Sequence, residues 1–176
     1  HSPIERADSV ARCTPCAAGT YQQFKGKASA NDCAQCPAGK YGAESGATQL
    51  LSCTDCPAGT YSSAVGISSA DDCVACPAGT HSSSEGADSV ATCAACKKGT
   101  WSDAVGNSGD CEKCPAGRFG SAPGQAACDK CAPGMWKNET GAITGCNECS
   151  LGQYQPSSAQ TKCEACPRGT FQNKEG

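Results

Sequence analysis

The 18 cysteines of this chain form nine CxxC pairs with none left over: Cys13/Cys16, Cys33/Cys36, Cys53/Cys56, Cys73/Cys76, Cys93/Cys96, Cys111/Cys114, Cys128/Cys131, Cys146/Cys149 and Cys163/Cys166. Counted from first Cys to first Cys, the period is 20 four times and then 18, 17, 18 and 17. Self-similarity at such a spacing marks a linear array in which each unit leans on its neighbours. The frame divides into the end of a preceding repeat (1–13), four repeats of 20 residues (13–93), four of 17–18 residues (93–163) and the start of a further repeat (163–176).

An array of this kind has to do without an oil-like core. Leu, Ile, Val and Met number 12 and the aromatics 9 among 176 residues, too few large apolar side chains for a packed globule. Cysteine at this density replaces that core with covalent staples, which persist in an oxidising compartment. The expected location is therefore extracellular or the cell surface. The net charge of −3 offers no footprint for nucleic acid, and no apolar run is long enough for membrane insertion in this segment. Ahead of His1 there is no charged-then-apolar leader, so a signal peptide is expected to have been removed or to lie outside the segment. RADSVARC (Arg6 to Cys13) copies the phase of GADSVATC (Gly86 to Cys93), and FQNKEG copies an outgoing arm; the chain reads as a segment of a longer array.

Three residues after every second Cys stands a glycine, from Gly19 to Gly169. Two residues further comes a ring: Tyr21, Tyr41, Tyr61, His81, Trp101, Phe119, Trp136, Tyr154 and Phe171. Ten residues after the second Cys another Gly recurs, with Ala159 the exception. All length variation falls after that second Gly. CPAG reads as a tight turn with Pro second and Gly fourth. A short strand follows, as in Thr60, Tyr61 and Ser62, and the second Gly then reverses the chain into a polar return arm such as Ile67 to Asp72. Each repeat is thus expected to be a small hairpin whose one ring packs on the local disulfide and on neighbouring Pro and Ala.

Spacing does not prove connectivity. Geometry favours the second Cys of each repeat bonding the first of the next, which pairs Cys16 with Cys33, Cys36 with Cys53, Cys56 with Cys73, Cys76 with Cys93, Cys96 with Cys111, Cys114 with Cys128, Cys131 with Cys146 and Cys149 with Cys163. Cys13 and Cys166 are then expected to find partners outside the segment. Zinc is the rival, since two CxxC pairs some 16 residues apart satisfy four-thiolate spacing. Nine pairs do not divide into sites of two pairs, however, and each site would add negative charge against only 14 Lys and Arg. A redox CxxC occurs once, ahead of a helix, and no helical period appears here.

Other candidate sites are sparse. His81 occupies a ring position, His1 has no context, and the neighbouring carboxylates Asp71 and Asp72 lack the loop that would make a calcium site, so no metal and no cofactor are expected. No strained nucleophile turn or zincin motif occurs, which argues against an enzyme. Asn138-Glu139-Thr140 forms an N-glycosylation acceptor on an outgoing arm. Asn31 and Asn147 stand in the acceptor position before Cys33 and Cys149, and bridging of those cysteines would leave them unmodified.

The repeat CPAGTYSSAVGISSADDC, with its variant CEACPRGTFQNKEG, resembles the ephrin-receptor-like cysteine-rich repeat through CxxCPxGT, the ring and the later Gly, and the resemblance covers the whole chain. It departs where Pro is missing after Cys16, Cys96, Cys131 and Cys149 and where His81 replaces the aromatic. The first hairpin of tumour-necrosis-factor-receptor modules is similar in its CPxGxY start and closing Cys, which supports the pairing above. The resemblance implies a small disulfide-rich fold: an elongated tandem array of short β-hairpins with little regular secondary structure, no single hydrophobic core and no catalytic residues. Nearly regular, Ala- and Gly-rich repeats resemble a surface filament or coat component, such as a flagellar hair subunit, more than a receptor. Its partners would be other protein chains, copies of itself or filament components, and glycans. The alternative is the stalk or ligand-binding array of a receptor or adhesion protein.

Overall fold

The computed structural model describes residues 13–175; the return-arm copy at 6–12, His1 and Gly176 lie outside the described residues. Regular structure consists of two-residue strands paired antiparallel as eight hairpins. They are β1 (Thr20–Tyr21) with β2 (Ala34–Gln35), β3 (Lys40–Tyr41) with β4 (Thr54–Asp55), β5 (Thr60–Tyr61) with β6 (Val74–Ala75), and β7 (Thr80–His81) with β8 (Ala94–Ala95). After them come β9 (Thr100–Trp101) with β10 (Glu112–Lys113), β11 (Arg118–Phe119) with β12 (Asp129–Lys130), β13 (Met135–Trp136) with β14 (Asn147–Glu148), and β15 (Gln153–Tyr154) with β16 (Glu164–Ala165). The ring residue opens the loop side of each ladder: Tyr21 stands opposite Ala34, His81 opposite Ala94 and Trp136 opposite Asn147.

The second strand of every hairpin is the pair of residues inside CxxC. Those two residues are the hairpin's returning edge. A two-stranded ribbon this short is marginal alone, and each is tied by a disulfide through the Cys that directly precedes its returning strand, as Cys33, bridged to Cys16, precedes Ala34.

The tight turn lies one residue later than the sequence suggested. Lys40 N–H donates to Pro37 O at 3.1 Å, and the same bond joins Thr80 to Pro77 and Arg118 to Pro115. Pro is therefore first and Gly third. At the third position Gly39 has φ +79°, the left-handed value of a type II turn that a β-carbon disfavours. The Thr that follows Gly adds a second bond to the same acceptor: Thr80 Oγ1 donates to Pro77 O at 2.7 Å.

The return arms divide into two kinds. Those of the four 20-residue repeats carry 3-10 turns at Ala30–Asp32, Leu50–Ser52, Ala70–Asp72 and Val90–Thr92. Among the described residues the shorter repeats have none. Two of the turns are held by capping boxes: Ser29 Oγ accepts from Asn31 N–H and the Asp32 carboxylate from Ser29 N–H, and Ser69 with Asp72 repeats the arrangement. Asp72 is thus a capping residue, and Asp32 is its counterpart.

Burial falls on sulfur and backbone. Cys36, Cys56, Cys76, Cys96, Cys114, Cys131 and Cys149 are no more than 1% exposed. They are joined by Ala87, Ala142 and small or polar residues such as Ser62 and Ser82, while Leu51, Val65, Val105 and Ile143 are exposed.

The chain splits into two compact units whose segments alternate along the sequence: 1–57, 61–74 and 86–89 in the first, 58–60, 75–85 and 90–176 in the second. The first contains the hairpins β1/β2 and β3/β4; the second contains those from β7/β8 to β15/β16.

Candidate functional site

The surface that recurs in every repeat is the contact each hairpin makes with its successors. The cysteine bridges frame it. Cys16 is joined to Cys33, Cys36 to Cys53, Cys56 to Cys73 and Cys76 to Cys93, each pair 17 residues apart in sequence. Cys96 is joined to Cys111, Cys114 to Cys128, Cys131 to Cys146 and Cys149 to Cys163, at 14 or 15 residues. Cα–Cα separations of 5.6–5.9 Å are those of ordinary bridges. Cys13 is exposed and Cys166 half-buried, and both carry free thiols. With the other cysteines in bridges, four-thiolate zinc sites have no ligands, and no group of three His, Cys, Asp or Glu among the described residues is placed to hold a metal.

Between the bridges, backbone meets backbone. Gly59 N–H donates to Ser82 O at 2.8 Å, and Gly59 O accepts from Cys76 N–H at 2.9 Å. Gly86 N–H donates to Cys56 O at 2.8 Å, and Ser62 N–H to Ala87 O at 2.9 Å. These four bonds recur from repeat to repeat with the same register, starting with Gly19 to Gly42, Cys36 to Gly19, Gly46 to Cys16 and Gln22 to Ala47. A further contact reaches two repeats on. A β-carbon on Gly19, Gly39, Gly59, Gly79, Gly99 or Gly117 would stand 2.1–2.3 Å from the carbonyl oxygen of Gly66, Gly86, Gly106, Gly124, Gly141 or Ala159, respectively. Glycine there is a demand of close backbone approach as much as of turn geometry.

The recurring part of the unit is therefore CxxC, Gly, ring and, except at Ala159, a second Gly in one tertiary arrangement. The description "Tyrosine-protein kinase ephrin type A/B receptor-like" matches residues 6–53, 47–93, 88–124 and 142–176. The chain belongs to this ephrin-receptor-like family. No curated protein matches it. Repeats of this class, with their disulfides, make an extracellular module and point away from a catalytic family.

The side chains of these ephrin-receptor-like repeats follow a strict register. The ring positions from Tyr21 to Tyr154 are half-buried, while Phe171 is exposed. His81 is a ring like the others: its Nδ1 is buried without a hydrogen-bond partner, as is Nε1 of Trp101. The next position is buried from Gly42 to Gln155, and where it carries a long polar side chain that chain ties the loop together. Lys137 Nζ donates to Thr144 Oγ1 and Gly145 O, both at 3.2 Å, and Gln155 Nε2 to Lys162 O at 2.9 Å. The position after that is exposed in all nine repeats, and Asn138 stands there. Asp71 and Asp72 are both exposed. A shallow cleft of about 280 Å³, lined by Pro133, Gly134, Tyr154, Gln155, Pro156 and Gln172, is smaller and more open than a small-molecule site.

The capping boxes Ser29/Asp32 and Ser69/Asp72 carry a Ser-x-x-Asp signal that the sequence reading passed over, whereas the backbone ladder left little side-chain signal. The ladder is carried by N–H and C=O groups that every residue has. Only the glycines that it crowds could have disclosed it.

Proposed function

We propose that the chain is an extracellular structural repeat protein that forms a semi-rigid rod or part of a surface filament or coat, as in flagellar hairs, and that it has no catalytic role. The observation that carries this reading is the recurring glycine contact: the first Gly of each repeat from Gly19 to Gly152 is bonded to the following repeat on both its N–H and its C=O, and Gly19, Gly39, Gly59, Gly79, Gly99 and Gly117 are also covered by a carbonyl two repeats on. A unit fastened to two successors resists bending at its joints, which suits a load-bearing element. The usable surface is the edge of repeated backbone and hairpin tips rather than a cleft, and the partners it suits are copies of itself or other filament components.

Imaging the intact parent protein tests this. Filaments with a regular axial spacing are the expected result. Isolated monomers that bind a soluble ligand would overturn it in favour of a receptor stalk or ligand-binding array. One observation favours that second reading: the 3-10 turns stop after Val90–Thr92, so the return arms of the later repeats present a different surface from the earlier ones.

A further inference from the structure

We propose that Asn138 carries an N-linked glycan, so that the hairpin tip of residues 138–140 is a modification site on this chain. The proposal rests on the extracellular reading, because the glycosylation machinery and disulfide formation share the secretory compartment.

Register carries the argument. Asn138 lies seven residues after Cys131, a position exposed in each of the nine repeats, and it follows Lys137 at a position that is buried. The Lys137 ammonium, held by Thr144 Oγ1 and Gly145 O, pins the base of the loop and leaves the next residues outward. Asn138, Glu139 and Thr140 are all exposed; Asn138 and Glu139 lie in irregular backbone and Thr140 enters the turn with Gly141. Neither the Asn138 amide nor the Thr140 hydroxyl is committed to a hydrogen bond among the described residues. Both groups that the acceptor triplet needs are therefore free: the amide as nucleophile and the hydroxyl as its hydrogen-bonding partner.

The two similar triplets fail on the same criteria. Asn31 sits in the 3-10 turn Ala30–Asp32, and its third residue, Cys33, is bridged to Cys16. Asn147 is in β14 opposite Trp136, and Cys149, bridged to Cys163, is 1% exposed. A bridged sulfur has no S–H to offer.

The chemistry requires a lipid-pyrophosphate-linked oligosaccharide as donor. Asn138 Nδ2 forms a bond to the anomeric carbon of the first sugar and loses one proton to a base of the transferase. The bond from that carbon to the pyrophosphate oxygen breaks, and the lipid pyrophosphate leaves with the electron pair. No oxidation or reduction is involved.

The test is secretion of the full 176-residue chain from eukaryotic cells, followed by peptide:N-glycosidase digestion and peptide mapping under non-reducing conditions. A mobility shift on digestion is expected, with Asn138 converted to Asp. Asn138→Gln and Thr140→Ala should lose the shift, Thr140→Ser should keep it, and Asn31→Gln and Asn147→Gln should leave it unchanged. If Asn138→Gln is not secreted, the mapped wild-type peptide decides. An unmodified Asn138 in a chain whose Cys131–Cys146 bridge is formed would overturn the proposal while leaving the extracellular reading intact. Free thiols throughout the secreted chain would overturn the extracellular reading itself, and the proposal with it.

Discussion

The carbonyl oxygen of Gly106 lies 2.2 Å from the point at which a β-carbon on Gly59 would stand. Gly59 has φ +82°, so two independent constraints, conformation and space, fall on one residue.

They can be separated by substitution. Gly26 has φ +73° with nothing within 4 Å of its β-carbon position, so Gly26→Ala should cost only the left-handed penalty of about 1–2 kcal/mol. Gly59→Ala should cost more, because the Gly106 carbonyl and the bonds around it must shift. Thermal unfolding under non-reducing conditions measures both; equal losses would remove the carbonyl contact as a determinant of stability.

Ala159 is the converse case, with φ +60° at a position where the other repeats have glycine at +68° to +76°. Ala159→Gly relieves the strain of a β-carbon but adds chain entropy to the unfolded state, and a net gain of about 0.5–1 kcal/mol is expected. A lower melting temperature for the variant would contradict this.

The Cys56–Cys73 bridge closes a hairpin 17 residues long in sequence separation. In the chain-entropy model such a loop is worth roughly 3 kcal/mol. The double variant Cys56→Ser, Cys73→Ser should be cut by protease between Tyr61 and Asp72 far sooner than the parent chain. Non-reducing peptide mapping of the parent should recover Cys56 linked to Cys73; zinc on free thiols would be the contrary result.

Acid should loosen the first return arm. Hydrogen bonds from the backbone N–H groups of Ser29 and Ala28 hold the Asp32 carboxyl below its ordinary value of 3.8, with the Lys27 charge assisting. A depressed folded value means that this contribution is complete above the unfolded carboxylate range and is lost as pH falls through the lowered value. Amide exchange at Ala28 and Ser29 should therefore accelerate, relative to the intrinsic rate, only below the usual Asp titration range. Asp32→Asn should show the fast exchange at neutral pH.

Much of the fold was legible because cysteine and glycine are unambiguous at fixed offsets. Nine CxxC pairs with Gly and a ring behind each one disclosed the hairpin array and its family. The turn was misplaced by one residue because the five residues Cys36 to Lys40 hold two overlapping four-residue windows, one with Pro second and Gly fourth and one with Pro first and Gly third; the bond from Lys40 to Pro37 decides between them. The 3-10 turns were missed because three residues such as Leu50–Ser52 carry no period to detect.

By itself, then, the sequence determined the repeat, the hairpin class and the replacement of a hydrocarbon core by sulfur, since these follow from residue identity at short range. Only the tertiary structure decided that the residues inside CxxC are the returning strand and that the first glycines from Gly19 to Gly117 face a carbonyl two repeats away. Those relationships are made by main-chain groups common to all residues, and they come into being only when successive hairpins are set against one another.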